Sequence, residues 1–249
     1  MRNIKLILTY DGTDFSGWQI QPDAPTVQGT LASAIGRVTG ENVLPQGSGR
    51  TDAGVHSLAQ VATFQTESVI PAGNLVVALN DILPGSVRVL EAREVSPEFH
   101  PRKSARAKTY RYRIYRGALC PPFLARYVWH YPYPLDENAM QEAAPLVEGQ
   151  HDFTSFAAVD AERGKEENVS NARRVFSSCW RREAEEFIYE VRGSGFLHHM
   201  VRSLVGTFLL VGKGTLQPRD MVTILEAKNR SAAGATAPAS GLYLVSVDY

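Results

Sequence analysis

The stretch that decides the fold is Lys108-Thr109-Tyr110-Arg111-Tyr112-Arg113-Ile114-Tyr115. Within it, Tyr110, Tyr112 and Ile114 alternate with the two arginines and Tyr115. Successive side chains of a β-strand point to opposite faces of a sheet, so this period of two predicts a strand. One face is expected to pack on a core, and the other carries the arginines.

The segments after this strand predict the rest of a C-terminal half, residues 105–249. Some show apolar residues at helical spacing, and others are rich in strand-forming residues. In chain order we predict a helix capped by Asp136, strands over residues 174–180 and 186–192, helices from about Phe196 and Pro218, and a strand over residues 242–247. This order, β-α-β-β-α-β, is that of the ferredoxin-like, or split βαβ, arrangement, in which helices cover one face of a sheet.

The N-terminal half, residues 1–104, has a similar pattern. In chain order we predict a strand over residues 4–10, a helix capped by Thr26 and ended by Gly40, a strand over residues 60–65, a helix over residues 71–83 and a strand over residues 86–95. A further short strand is not resolved by the pattern. We therefore expect an α+β fold of two ferredoxin-like halves, with a continuous, largely antiparallel sheet and helices on one face.

The composition is that of a folded protein outside the membrane. Hydrophobic residues are 44% and charged residues 21%, close to globular averages. The longest apolar candidate, residues 201–211, is interrupted by Arg202 and Gly206, and the first residues lack the apolar segment of a signal peptide. With only two cysteines, a reducing compartment is the simplest expectation. We predict a soluble, cytoplasmic protein.

The charges are unevenly distributed although the net charge is zero. No acidic residue stands between Phe99 and Tyr133, whereas acids gather in residues 160–167 and 183–190. The basic residues of that interval are Arg102, Lys103, Arg106, Lys108, Arg111, Arg113, Arg116 and Arg126. A neutral protein can thus present one positive face to a polyanion, although an ordinary solvated charged face explains the same pattern.

The segment with the most chemical content is Gly47-Ser48-Gly49-Arg50-Thr51-Asp52-Ala53-Gly54-Val55-His56. Glycine lets the backbone approach a ligand closely, and loops on a rigid scaffold often carry functional residues. Arg50 and Asp52 are the charged residues that the glycines surround. A generic glycine-rich turn is the alternative interpretation.

Common cofactor and metal motifs are missing. The dinucleotide-binding pattern requires a glycine where Asp52 stands, and the P-loop pattern fails before Lys213. His198 and His199 are adjacent, and on a predicted helix they point in different directions, which argues against a metal site. We expect no cofactor and no metal, and either a structural or an RNA-contacting role for these histidines.

Five separated blocks nevertheless resemble one family, the TruA family of tRNA pseudouridine synthases, and they occur in its order over nearly the whole chain. Proline at 101 and histidine at 198 depart from the pattern of the family. The blocks are Tyr10-Asp11-Gly12-Thr13-Asp14-Phe15-Ser16-Gly17-Trp18-Gln19, Gly49-Arg50-Thr51-Asp52-Ala53-Gly54-Val55-His56, Lys108-Thr109-Tyr110-Arg111-Tyr112, Phe196-Leu197-His198-His199-Met200-Val201-Arg202 and Ala237-Pro238-Ala239-Ser240-Gly241-Leu242.

The resemblance implies a cofactor-free homodimer that converts uridine to pseudouridine at positions 38, 39 and 40 of the tRNA anticodon stem-loop. It implies Asp52 as the catalytic carboxylate, in a cleft between the halves, with Arg202 as its ion-pair partner. Arg50 is expected to open the RNA and hold the flipped nucleotide, and Tyr110 to stack on the base. Further candidates for RNA contact are His56, Arg106, Arg111, His198 and His199.

The residue types leave the mechanism open. Asp52 can attack C1′, attack C6, or remove a ribose proton to give a glycal-like intermediate. A hydrolytic N-glycosidase that uses Asp11 or Asp14 as a second carboxylate is an alternative enzyme. A non-catalytic RNA-binding module explains the aromatic and basic residues but leaves Asp52 without a role.

Overall fold

The structure, a computed structural model, describes residues 1–158 and 170–249. The chain divides into two compact units, unit 1 with Met1–Arg106 and Tyr243–Tyr249, and unit 2 with Ala107–Leu242. The sequence placed residues 243–249 in the C-terminal half, whereas they pack in unit 1. The acidic stretch at residues 160–167 lies outside the described residues.

Both units mix helices and strands. Unit 1 contains β1 (Arg2–Tyr10), α1 (Val27–Thr39), β2 (Gln46–Gly47), β3 (His56–Thr66), α2 (Ala72–Ile82) and β4 (Val87–Val95). Unit 2 contains β5 (Ala107–Tyr115), β6 (Trp129–His130), α3 (Glu137–Ala143), β7 (Gly149–Asp152), β8 (Ala172–Glu183), β9 (Glu186–Gly193), α4 (Met200–Gly212) and α5 (Asp220–Ala227). The last strand, β10 (Leu242–Asp248), lies almost entirely in unit 1.

The sheet of unit 1 is built around β1, which pairs antiparallel with β3 and β4. The short β2 pairs antiparallel with β3, and β10 pairs in parallel with it, with Tyr243 opposite His56. Thr26 caps α1, because its side-chain oxygen accepts a hydrogen bond from the Gly29 N–H, and Gly40 ends the helix in the left-handed conformation. These helix limits confirm the prediction, and β2 is the short strand that the pattern left unresolved.

The helices of unit 1 cover one face of its sheet. Ile4, Leu6 and Leu8 of β1 are fully buried in one cluster with Leu31 of α1 and Leu79 of α2. Each such side chain contributes roughly 1.5–3 kcal/mol when it is buried. Phe15 and Trp18 belong to the same cluster, so the segment after β1 is fixed to the core.

Unit 2 has an antiparallel sheet in the order β5-β9-β8-β7, with β6 parallel to β5 at the side. Helix α4 packs on one face through Phe208, which contacts Trp180 and Tyr189. Tyr112 on β5 is also fully buried. The alternation predicted for β5 is therefore confirmed, and so is an α+β fold with largely antiparallel strands.

On the other face of this sheet, two arginines of the basic interval are paired with acids, so the predicted positive surface is partly neutralised. Arg111 and Glu190 form an ion pair at 2.9 Å across β5 and β9, and Arg113 and Glu186 form one at 2.5 Å. These acids are distant from the arginines in sequence, but the pairing of β5 with β9 places Glu190 directly opposite Arg111 and Glu186 diagonally across from Arg113. Part of the basic interval is thus neutralised by cross-strand pairs.

Several element boundaries differ from the predictions. Strand β3 begins at His56 rather than residue 60, α5 begins at Asp220 rather than near Pro218, and α4 begins at Met200 rather than near Phe196. His199 has φ 60°, a left-handed conformation that a right-handed helix excludes. Among the described residues, no helix has the length and apolar character needed to cross a bilayer.

Candidate functional site

Two of the sequence blocks meet in unit 1, where the segment that follows β1 holds the loop before β3. The Trp18 N–H donates to the Thr51 carbonyl at 3.0 Å, and the Gly54 N–H donates to the Phe15 carbonyl at 3.2 Å. The Tyr10 hydroxyl shares a hydrogen bond of 2.8 Å with the Thr51 hydroxyl. The loop is thus fastened on both sides of Asp52.

Two glycines make this close packing possible. A Cβ on Gly12 would lie 2.0 Å from the Val55 carbonyl oxygen, and one on Gly17 would lie 2.6 Å from the Thr51 carbonyl oxygen. Gly17 also has φ 91°, which residues with a side chain rarely adopt. Only glycine allows the two backbones to approach this closely.

Asp52 stands at the turn of the loop, between the buried Thr51 and the exposed Ala53. Its carbonyl oxygen accepts a hydrogen bond from the Val55 N–H at 3.1 Å, which closes the turn. Its side chain is partly exposed. The backbone of this carboxylate is therefore held firmly, as a reacting group requires.

Arg50 is exposed on the same loop. Its Nε donates to Oε1 of Gln19 at 3.3 Å, so a residue of the other block orients the guanidinium. Gln19 belongs to the first of the five blocks, but nothing in its residue type indicated that it orients Arg50.

The Tyr10 hydroxyl is a neutral support for the loop. Burial raises the pKa of Tyr10 to about 12, and hydrogen bonds from Thr51, Gln60 and Ser57 oppose this only in part. The hydroxyl therefore remains protonated at neutral pH and brings no negative charge close to Asp52.

His56 lies where an RNA contact was predicted, but its side chain is only 2% exposed and has no surface to offer. Its ring stacks on Tyr243 at 4.8 Å between centroids. Nδ1 lies 3.1 Å from the Gly12 nitrogen and 3.2 Å from Oδ1 of Asp11. One nitrogen cannot accept from the first and donate to the second. We assign Nδ1 as the acceptor, because an amide N–H can only donate and Asp11 already accepts from Thr13.

Unit 2 contains the other candidates. Tyr110 is 8% exposed and makes an edge-to-face contact with Phe196, with ring centroids 5.0 Å apart. Arg202, in the first turn of α4, donates from Nε to the Ala237 carbonyl at 2.8 Å, and the Ala237 N–H donates to the Arg202 carbonyl. The last three sequence blocks therefore meet in unit 2.

His198 and His199 were predicted to lie on a helix, and the structure shows that they do not. They precede α4 instead of lying on it, and their rings are 4.0 Å apart rather than directed to different sides. The helical geometry used to argue against a metal site was therefore wrong. The His198 carbonyl accepts a hydrogen bond from the Ala158 N–H, and the His199 carbonyl accepts the first backbone hydrogen bond of α4, from the Ser203 N–H.

Arg106 and Arg111, the two arginines predicted to contact RNA, lie in different environments. Arg106 is exposed, and its backbone N–H donates to the Asp248 carbonyl. Arg111 donates from Nε and Nη2 to Oε2 of Glu190. An RNA phosphate would compete with a carboxylate for Arg111.

The comparisons with known proteins agree with the residue blocks. A family model described as tRNA pseudouridine synthase matches residues 6–102 and 143–249. A protein of Solibacter usitatus (strain Ellin6076) named tRNA pseudouridine synthase A is 49% identical over 249 residues, which cover all of both chains. Proteins with the same name are 45% identical in Caldicellulosiruptor bescii, over all of both chains, and in Halalkalibacterium halodurans, over 97% of this chain and 90% of that one.

These matches identify the chain as an RNA-modifying isomerase, because pseudouridine synthases rearrange uridine and leave its atomic composition unchanged. The chain belongs to the tRNA pseudouridine synthase family.

Proposed function

We propose that this enzyme converts uridine to pseudouridine at positions 38, 39 and 40 of the tRNA anticodon stem-loop, with Asp52 as the catalytic nucleophile. It works without a cofactor, in the cytoplasm, as a homodimer. The observation that carries the proposal is the fastening of the Asp52 loop by Trp18, Phe15 and Tyr10. A carboxylate in a loop fixed this tightly is placed to meet a reacting sugar or base.

The reaction needs only groups that this chain supplies. The bond between N1 of uracil and C1′ breaks, the base turns, and C5 bonds to C1′. The proton that leaves C5 is balanced by a proton taken up at N1. No electrons are transferred to or from the substrate. An ionised Asp52 can attack C1′, attack C6 or accept a ribose proton, and each route uses the same carboxylate.

The target base is stacked within the RNA, so the enzyme must extrude it. Tyr110, whose ring orientation is set by Phe196, is proposed to stack on the base, with a contribution of about 1–3 kcal/mol. Arg50, oriented by Gln19, is proposed to hold the flipped nucleotide. We also assign His198, His199 and Arg106 to RNA contact.

Arg202 is proposed as the ion-pair partner of Asp52. Opposite charges about 4 Å apart attract by about 4 kcal/mol at an effective dielectric constant of about 20, before the cost of desolvation. Within unit 2, the hydrogen bond from Nε of Arg202 to the Ala237 carbonyl oxygen orients the guanidinium group. Arg111 and His56 are now weaker candidates for RNA contact, because of the Glu190 ion pair and burial respectively.

The proposal is tested by mapping pseudouridine in a tRNA transcript with uridines at positions 38, 39 and 40. A second transcript with cytidines there is the control. Pseudouridine at these positions in the first transcript supports the proposal. Pseudouridine elsewhere in both transcripts contradicts the assigned target, and free uracil would favour an N-glycosidase over an isomerase.

A further inference from the structure

We propose that Arg174, Phe176 and Arg192 form a second RNA-contacting surface in unit 2, which we call the Phe176 platform. It takes one unpaired base of the tRNA on the ring and neighbouring phosphates on the guanidinium groups. The proposal rests on the proposed function, because the ligand is the tRNA substrate itself.

The first observation is a β-bulge that exposes Phe176. The register of β8 against β9 shifts between Val175, which pairs with Gly193, and Ser177, which pairs with Arg192. Phe176 is the extra residue. Val175 is buried, whereas the Phe176 side chain is 40% exposed. Bulges redirect side chains, and here the bulge directs a large aromatic ring away from the core.

The second observation is the pair of arginines around the ring. The guanidinium carbons of Arg174 and Arg192 lie 5.9 and 5.2 Å from the Phe176 ring centroid. Surface cation-π contacts of this kind contribute only about 0.5–1 kcal/mol to folding. An exposed ring next to two positive groups is suited to binding single-stranded RNA, because bases stack on aromatic rings and phosphates bind guanidinium groups.

The third observation links the platform to Tyr110. The Ser194 N–H donates to the Arg174 carbonyl at 2.8 Å, and the Arg174 N–H donates to the Ser194 hydroxyl at 3.2 Å. Gly193 packs tightly between the Arg174 carbonyl and the Phe196 ring, and Phe196 contacts Tyr110. One short segment, from Gly193 at the end of β9 to Phe196, thus connects the platform to the residue proposed to stack on the target base.

Charge favours RNA over a protein as the occupant. Both side chains that flank the ring are cationic, and the partner that best matches two cations next to one apolar ring is a polyanion with stacking bases. A hydrophobic protein contact would instead leave the guanidinium groups desolvated at its edge.

The test compares Phe176→Ala and Phe176→Tyr with the native chain. Phe123→Ala is the matched control, because Phe123 is 89% exposed elsewhere in unit 2. Measurements are the Kd for tRNA, the steady-state kcat and KM for pseudouridine formation, and the melting temperature. We expect Phe176→Ala to raise Kd and KM about 5- to 100-fold with kcat nearly unchanged, since this removes one stacking contact. Phe176→Tyr and Phe123→Ala should resemble the native chain.

A second variant tests the charges independently of the ring. Arg174→Ala should make the dependence of log Kd on log salt shallower by about one unit, the effect of losing one phosphate contact. The exposed Arg219, in the same unit, is the control, and Arg219→Ala should leave the slope unchanged.

The outcomes separate this inference from the proposed function. If the native chain forms pseudouridine at its target while Phe176→Ala leaves Kd and KM unchanged, the platform is disproved and the function stands. If Phe176→Ala changes the oligomeric state in sedimentation but not the Kd for tRNA, the surface is a protein contact and the inference is wrong. If the native chain forms no pseudouridine but binds tRNA through Phe176, the function fails and the platform is supported.

Discussion

The Thr51 carbonyl oxygen accepts a hydrogen bond of 3.0 Å from the Trp18 N–H. Trp18 is 2% exposed and belongs to the core of unit 1, so this bond connects the residue before Asp52 to the buried core of that unit. The position of Asp52 therefore depends on how the core of unit 1 holds the loop.

Gly12→Ala should disrupt the loop. The new Cβ would lie 2.0 Å from the Val55 carbonyl oxygen, so the two segments must separate. We expect a loss of about 1–3 kcal/mol in the free energy of unfolding and a strong loss of kcat. The control is Gly73→Ala, which meets no atom within 4 Å in α2 and should leave activity intact with equal or higher stability. Urea unfolding and steady-state kinetics measure both effects, and a Gly12→Ala enzyme with native kcat contradicts the account.

His56→Asn and His56→Gln should differ. The asparagine side chain can place an oxygen near the position of Nδ1 and accept from the Gly12 N–H, whereas glutamine places its polar group farther out. We expect kcat to fall less in His56→Asn than in His56→Gln, with KM for tRNA similar in the two. A larger rise of KM than fall of kcat in both variants would instead indicate direct RNA contact.

Tyr10 should make stability depend on alkaline pH. Its pKa is raised from the usual value of 10 to about 12, mainly by burial, so the folded state holds the proton more tightly than the unfolded state. The resulting stabilisation is fully present below about pH 10 and is lost as the pH rises to about 12, by up to roughly 3 kcal/mol. Tyr10→Phe should lose less stability over that interval than the native chain. Equal losses in both proteins would contradict this prediction.

Arg106→Ala and Arg111→Ala should separate RNA contact from ion pairing. Arg106 is exposed, so its removal should make the salt dependence of tRNA binding shallower by about one unit. Arg111 pairs with Glu190, so its removal should mainly lower stability, by at most about 1 kcal/mol, and Glu190→Gln should do the same. A full unit of slope lost in Arg111→Ala would restore that residue to the RNA contacts.

The sequence predicted what local patterns determine. Thr26 and Gly40 marked the ends of α1, and alternation marked β5, because caps and periodicity act within a few residues. The start of α4 was misplaced because Phe196 and Leu197 continue an apolar pattern, and nothing local indicates the left-handed His199.

Strand register cannot be read from one segment. The ion pair of Arg111 with Glu190 depends on which residues of β9 stand opposite β5, and the bulge at Phe176 depends on how β8 pairs with β9. The burial of His56 likewise depends on β10, which comes from the far end of the chain. In the candidate site, the residue blocks identified Asp52 and its loop, whereas the supporting bonds from Tyr10, Trp18 and Gln19 required the fold.

The central claim is that Asp52 carries the chemistry, and tritium release from tRNA labelled at uridine C5 tests it most directly. Asp52→Asn keeps the size of the side chain and removes its charge. The control is Asp14→Asn, because Asp14 lies on the neighbouring block and is one of the two candidates for a second carboxylate. We expect Asp52→Asn to abolish tritium release while it still binds tRNA, and Asp14→Asn to release tritium at close to the native rate. Release by Asp52→Asn at the native rate would contradict the central claim.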